Sequence, residues 1–191
     1  MKVIEHCESL MRKRPAGWWE ELCALIPELA GLAGTPQPRE YHAEGDVAQH
    51  TRLALSHCPH DCSAVLLWVA LLHDIGKPKT TVIQTDGHIT AHGHAKRGAE
   101  QAESILIRLG MPTECREQIT WTIRHHVFQH SWQLHSPADL SNRQRNFIQH
   151  PWFPLLLEFL HVDTQASVSK QRETDHYLFY KNLLATIQGH R

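Results

Sequence analysis

The stretch AVLLWVALLHDIGKP constrains this chain more than any other. Nine apolar residues, Ala64 to Leu72, run without interruption into His73 and Asp74. Val65, Leu66, Trp68, Val69 and Leu72 surround a helix on nearly every side, so a central buried helix is expected, ending at Gly76 and Pro78. Such a helix delivers a histidine and an aspartate into the interior. An ionised aspartate there is costly unless paired or metal-bound, and the negative end of the helix dipole adds to the penalty. A bound cation reverses both. Adjacent helical side chains diverge by about 100°, so a shared ion would lie against the helix flank between them.

The 191 residues, 41% of them apolar, suffice for one compact domain with a real core, and a single domain over 1–191 is expected. Nineteen Lys and Arg nearly cancel 20 Asp and Glu. No global field would therefore draw the chain to nucleic acid or an anionic membrane, and any phosphate binding must be local. The longest apolar run is too short to span a membrane, and the opening MKVIEHCESLMRKR lacks a signal peptide's apolar core, so a cytoplasmic location is the expectation. Five cysteines without a Cys-x-x-Cys pair fit reduced thiols better than a disulfide framework. Cys58 and Cys62, flanked by His57 and His60, are a loosely spaced zinc candidate, and a helix boundary explains them equally well. The outlying count is histidine, at 17.

Spacings of three and four dominate, so the fold class is all-α. Helices are expected near 3–13, 18–31, 46–58, 62–75, 94–109, 113–127, 138–148, 153–168 and 172–187. Residues 81–91 are the exception: Asp86-Gly87 between short β-prone runs predicts a small hairpin. The stretch 31–39, with two glycines and two prolines, is the most loop-like. Arg12-Lys13-Arg14 reads as a solvated face. Of Trp18 and Trp19, at least one is expected in the core.

Histidines recur on apolar faces. Asp46 with Gln49 three residues on marks a helix start, after which Val47, His50 and Ala54 share a face. His94 leads a stripe of Gly98, Ala102, Ile105 and Leu109, whose small members allow a close neighbour. Ile119, Thr122 and Ile123 continue to His126, which ranks above the adjacent His125. Leu156, Phe159 and Leu160 share a face with Asp163. Alone, each fits a satisfied core residue. Six from five segments, all histidine or aspartate, point instead to a metal site.

The ordered set resembles the HD superfamily of metal-dependent phosphohydrolases, whose signature is a histidine, a later His-Asp doublet and a final aspartate. Here these are His50, His73-Asp74 and Asp163. The chain is most similar to the C-terminal HD domain of bacterial tRNA nucleotidyltransferases, the CCA-adding enzymes. LIPELAGLAGTPQP, YHAEGDVAQHT, ALLHDIGKP, ITAHGHAKRGAE and IRHH occur in that order over roughly residues 22–130. A family-like core of about 22–168 and a C-terminal helix of about 172–187 follow. Nothing resembles the nucleotidyltransferase head, so CCA addition is not expected of this chain alone. Whether a separate nucleotidyltransferase or other partner chain exists stays open, as does the oligomeric state.

Imidazole and carboxylate ligands suit Mn, Fe, Co, Ni or Zn, with Mg possible. One ion would take His50, His73, Asp74 and Asp163, and a second would take His94 and His126, bridged by Asp74. Such a centre activates water and polarises a phosphoryl oxygen. Lys77 is expected to neutralise a phosphate oxygen. Lys96 and Arg97, in the first turn of the His94 helix, oppose its dipole unless an anion binds there. Asp74, Lys77 and Arg97 are therefore the expected catalytic residues. The resemblance implies 2′,3′-cyclic nucleotides, nucleoside monophosphates or phosphate-bearing RNA ends as substrates. A non-catalytic nucleotide- or RNA-binding module is the alternative. A histidine-rich pH sensor would account for the abundance but not the order. Nucleophilic catalysis has no support: no Gly-x-Ser-x-Gly elbow is present, and no cysteine has an activating partner.

Overall fold

In a computed structural model the chain is a helical assembly carrying a two-stranded hairpin. The structure describes residues 2–132, 136, 139–167 and 170–189. In chain order the α-helices are α1 Lys2–Lys13, α2 Trp18–Leu25, α3 Val47–His57, α4 Ala64–Leu72, α5 His94–Leu109, α6 Thr113–His125, α7 Asn142–Ile148, α8 Phe153–Ala166 and α9 Lys170–Gly189. The hairpin pairs β1 Val82–Ile83 with β2 Ile89–Thr90, Val82 opposite Thr90 and Ile83 opposite Ile89.

Helix α4 lies at the centre, packed on α3, α6 and α8, with residues 66–72 all buried. Each large apolar side chain there contributes roughly 1.5–3 kcal/mol. Ser63 caps the helix by accepting from Leu66 N at 3.2 Å. Its end differs from the expected glycine stop. Gly76 has φ −80°, an ordinary right-handed value, so it does not act as a left-handed cap. A Cβ at Gly76 would collide with the His94 carbonyl oxygen and lie 2.6 Å from Gly98 N. Gly76 is required because α5 crosses the turn after α4 backbone to backbone. Gly98 completes the contact, since its own Cβ would lie 3.2 Å from the His73 carbonyl oxygen.

Two further expectations are modified. The helix expected over 18–31 breaks at Ile26, and Pro27–Leu32 continues as a 3-10 helix. Pro27 lacks an N–H and forces its predecessor out of the helical region, as Ile26 shows with φ −129° and ψ 79°. Asp46 does cap α3, accepting from Gln49 N at 2.8 Å, but the Gln49 side chain turns to Arg52 and leaves the capping box half made. Trp19 is buried, while Trp18 packs edge-on against it and is half-buried. Residue 138 of the helix expected over 138–148 and residue 168 of that over 153–168 lie outside the described residues; α7 starts at Asn142, behind a full capping box of Ser141 and Gln144.

Two apolar clusters result among the described residues. One joins α1 to α6 with the C-terminal half of α8. The other gathers Phe128, Leu140, Ile148 and the N-terminal half of α8 with Tyr180 and Leu183 of α9. No helix among the described residues is long and apolar enough to cross a membrane.

Candidate metal centre

Six polar side chains converge where the ends of α4 and α6 meet the start of α5 and the inner faces of α3 and α8. His50, His73, Asp74 and His126 are each no more than 3% exposed. His94 and Asp163 are partly open. The helical stripes that carry them are those expected from the apolar spacing.

The ring nitrogens show how the site is organised. His73 Nδ1–H donates to Ala70 O at 3.0 Å, His94 Nδ1–H to Ala91 O at 2.8 Å and His126 Nδ1–H to Ile123 O at 2.6 Å. A carbonyl only accepts, so each ring carries a proton on Nδ1, and in the neutral ring Nε2 turns a lone pair inward. The His94 and His126 lone pairs face one another at 3.2 Å. Asp74 Oδ1 lies 3.4 Å from the first and 3.8 Å from the second. With both rings neutral, as burial favours, three electron-pair donors meet without a hydrogen among them. On the other side of the carboxylate, Asp74 Oδ2 is 3.2 Å from His73 Nε2, which is also 3.7 Å from Asp163 Oδ1. Asp74 therefore presents one oxygen to His73 and the other to His94 and His126.

His50 is held differently. Nδ1–H donates to Glu44 Oε1 at 2.8 Å, and Nε2–H donates to Asp163 Oδ1 at 2.9 Å. Burial alone would lower its pKa, but the two carboxylates outweigh burial and push it up to about 9. His126 goes the other way, down to about 3, through burial and then the neighbouring His94 and His73 rings. His94 is also lowered, again by burial first. Burial would raise Asp74, but His73, Lys77 and His94 hold its carboxyl well below the ordinary range. Asp163 is likewise lowered against its burial, chiefly by the hydrogen bond from His50.

Lys77 is buried and committed: Nζ lies 2.7 Å from Asp74 Oδ2 and donates to Gln37 Oε1 at 2.6 Å. Arg97 is not brought to this cluster. It is exposed, lies 3.8 Å from Glu100 and faces a shallow groove with Glu28 and Lys79. Lys96 is exposed as well. His125 turns away from the site, donating Nδ1–H to Trp121 O at 2.8 Å and packing on that ring. The Cys58 and Cys62 neighbourhood is not among the metal-capable groups of the described residues; Arg12 donates there to the His60 and Cys62 carbonyl oxygens.

Three residues at the site have no counterpart among the sequence expectations. Glu44 accepts from both His42 and His50 at 2.8 Å, and is lowered to about 2 despite burial because both rings bond it. Gln37 holds Lys77. All three come from the loop before α3, where no helical period points to them. The available signal was the run HAE just ahead of the Asp46 cap.

Buried imidazoles and carboxylates that share one bridging aspartate define a class, a helical protein with a centre suited to divalent metal. Residues 46–176 match the HD domain family, a superfamily of metal-dependent phosphohydrolases, and the chain belongs to it. Its relatives include the Multifunctional CCA protein of Alkalilimnicola ehrlichii, 39% identical over 130 residues, which cover 68% of this chain and 28% of that protein. That of Methylobacillus flagellatus is 33% identical over 211 aligned positions, covering 90% and 50%. That of Neisseria gonorrhoeae is 32% identical over 177, covering 87% and 42%. The chain thus spans half or less of the length of these relatives.

Proposed function

We propose that the chain hydrolyses phosphoesters of nucleotides or RNA ends, with 2′,3′-cyclic nucleotides and nucleoside monophosphates as the leading substrates, in dependence on a divalent metal. The observation that carries this reading is the inward set of lone pairs. His73 Nε2 and Asp74 Oδ1 are buried without a hydrogen-bond partner, and His94 and His126 aim two more bare nitrogens at the same carboxylate. Buried acceptors left facing one another are costly, and a cation satisfies all of them together. The residues present therefore fit a metal.

His50, once its Nε2 proton is displaced by the cation, would hold one ion together with His73, Asp74 and Asp163, and Asp74, His94 and His126 would hold a second. The mixed nitrogen and oxygen donors favour Mn, Fe, Co, Ni or Zn over Mg. A bound divalent ion supplies a Lewis acid and lowers the pKa of water at neutral pH. The protein's own contribution is orientation. Backbone carbonyls fix the His73, His94 and His126 tautomers, and Glu44 fixes the His50 ring, in the manner of outer partners that set ligand geometry. Lys77 clamps Asp74 and adds positive charge beside the place a phosphoryl group would occupy.

The test is phosphate release from a panel of phosphomonoesters and cyclic nucleotides with Mn, Ni, Co or Mg. Metal-dependent turnover that disappears in Asp74→Ala is the expected result. No turnover from well-folded protein with any of these metals would overturn the hydrolase reading and leave a binding module.

A further inference from the structure

Among the described residues, a roomy cleft lies between the loop preceding α3 and the tip of the hairpin. It has a volume of about 850 Å³ and is walled by Gln37, Pro38, Arg39 and His42 on one side and His88 and Ile89 on the other. We propose that this cleft binds the nucleoside portion of the substrate, with Gln37 as the residue that orients it. The proposal rests on the phosphohydrolase reading above and names where that substrate's organic part would lie.

Position is the first argument. Gln37 is joined through Lys77 to Asp74 by contacts of 2.6 and 2.7 Å. His42 shares Glu44 with His50 and packs edge-on against it at 4.7 Å between ring centroids. The inner wall of the cleft is thus one residue removed from the metal ligands at two points. A nucleoside held there would direct its phosphate toward them.

The second argument is an unmet donor. Gln37 is 4% exposed, and its Oε1 accepts from Lys77, which orients the amide. Its Nε2 is buried without a hydrogen-bond partner. Buried amide donors are rarely left unpaired, and an acceptor on a bound ligand would supply the missing bond. A ribose oxygen or a base edge is such an acceptor.

Size and lining chemistry separate a nucleoside from a bare anion. The volume is in the range of small-molecule sites and far exceeds what phosphate needs. Arg39 and Glu40 both line the cleft, so its charge is mixed and does not favour an anion alone. Hydroxyls and a base, which both donate and accept, suit such a wall. Pro38, Ile89 and the histidine rings offer the flat apolar surface a base packs on.

The test is titration of the manganese-loaded chain with adenosine 5′-monophosphate and, separately, with inorganic phosphate. The monophosphate is expected to bind at least tenfold more tightly. Ala43→Trp, a bulky residue introduced from an exposed position in the cleft wall, should erase that advantage while phosphate affinity stays unchanged. Gln37→Ala should reduce it. Equal binding of the two ligands by the wild type, or an advantage that survives in Ala43→Trp, would overturn the proposal. If manganese does not bind, the metal reading fails separately, and adenosine titrated into the metal-free protein decides the cleft: binding lost in Ala43→Trp supports it, and no binding by the wild type overturns it.

Discussion

Around α4 the packing is mainly aliphatic and close, with Leu66, Val69, Leu71, Ile119 and Ile123 enclosed, Trp68 and Phe159 as the large rings among them, and Gly76 set against Gly98. Around the start of α8 it is aromatic. Phe128 meets Tyr180 at 4.8 Å, Trp132 at 5.1 Å, Phe147 at 5.4 Å and Phe153 at 5.7 Å between ring centroids. The first region carries His50, His73, Asp74, His94 and His126. The second carries none of the six, and reaches the site through α8, whose far half bears Asp163, and through Trp121 of α6. Small residues and short side chains let backbones approach until five polar groups meet, whereas large rings fill volume and anchor a helix. Placing ligands and holding the scaffold are thus divided between the two clusters.

Substitutions can break that division. Phe153→Ala, in the aromatic cluster, should cost about 3–5 kcal/mol of stability. Metal uptake should nevertheless persist in the folded fraction, because Asp74, His94 and His126 are set by the other cluster. Denaturant midpoints read beside bound manganese would show whether the two properties separate. Gly76→Ala should do the reverse. Overpacking typically costs about 1–3 kcal/mol, but the added methyl pushes α5 and His94 off the Asp74 turn, so uptake should fall far more than stability. A chain with full uptake would mean that the close approach is not what sets the site.

Glu44→Gln sharpens the comparison within the ligand region. The amide keeps the shape and loses the charge that His42 and His50 share, and loss of such an outer partner typically costs about 10–100-fold in metal affinity. Thermal stability of the metal-free chain should change less. Competition against a chelator of known affinity would measure the effect.

The smallest effect is alkaline. Burial pushes the Cys7 thiol up to about 11 and the Cys58 thiol up to about 12, both in the aliphatic cluster. An unfolded thiol titrates near ~8.5. A folded-state pKa above the unfolded one means the contribution is complete below about 8.5 and is lost as pH rises through the folded values. Melting temperature should therefore decline between pH 9 and 12, and Cys58→Ala should make the decline shallower. An unchanged slope in that variant would remove Cys58 from the explanation.

The helical ligands were legible because period and burial coincide. His50 follows Val47 on its face, His126 follows Ile123, and Asp163 follows Leu160, so each polar residue stands where an apolar one is due. Gly98 and Ala102 announced the close approach of α5. What the periodicity could not reach lay in the loop before α3. Glu44, His42 and Gln37 have no repeating face, and their positions depend on how Asp46 caps α3 and how the loop folds back to Lys77. Gly76 was read as a stop signal, and only the packed structure shows that it is needed for clearance. Arg97 was judged from helix position alone, which fixes the turn it occupies but not the neighbour it meets, here Glu100.

The most direct test of the account is the number of divalent ions bound by the purified chain after equilibration with manganese, in the wild type, Asp74→Ala and His94→Ala. Because the two Asp74 oxygens face different histidines, Asp74→Ala should abolish tight binding, and His94→Ala should remove one ion and leave the site of His50, His73 and Asp163. Folded wild type that binds no ion, or an Asp74→Ala chain that binds as the wild type does, would contradict it.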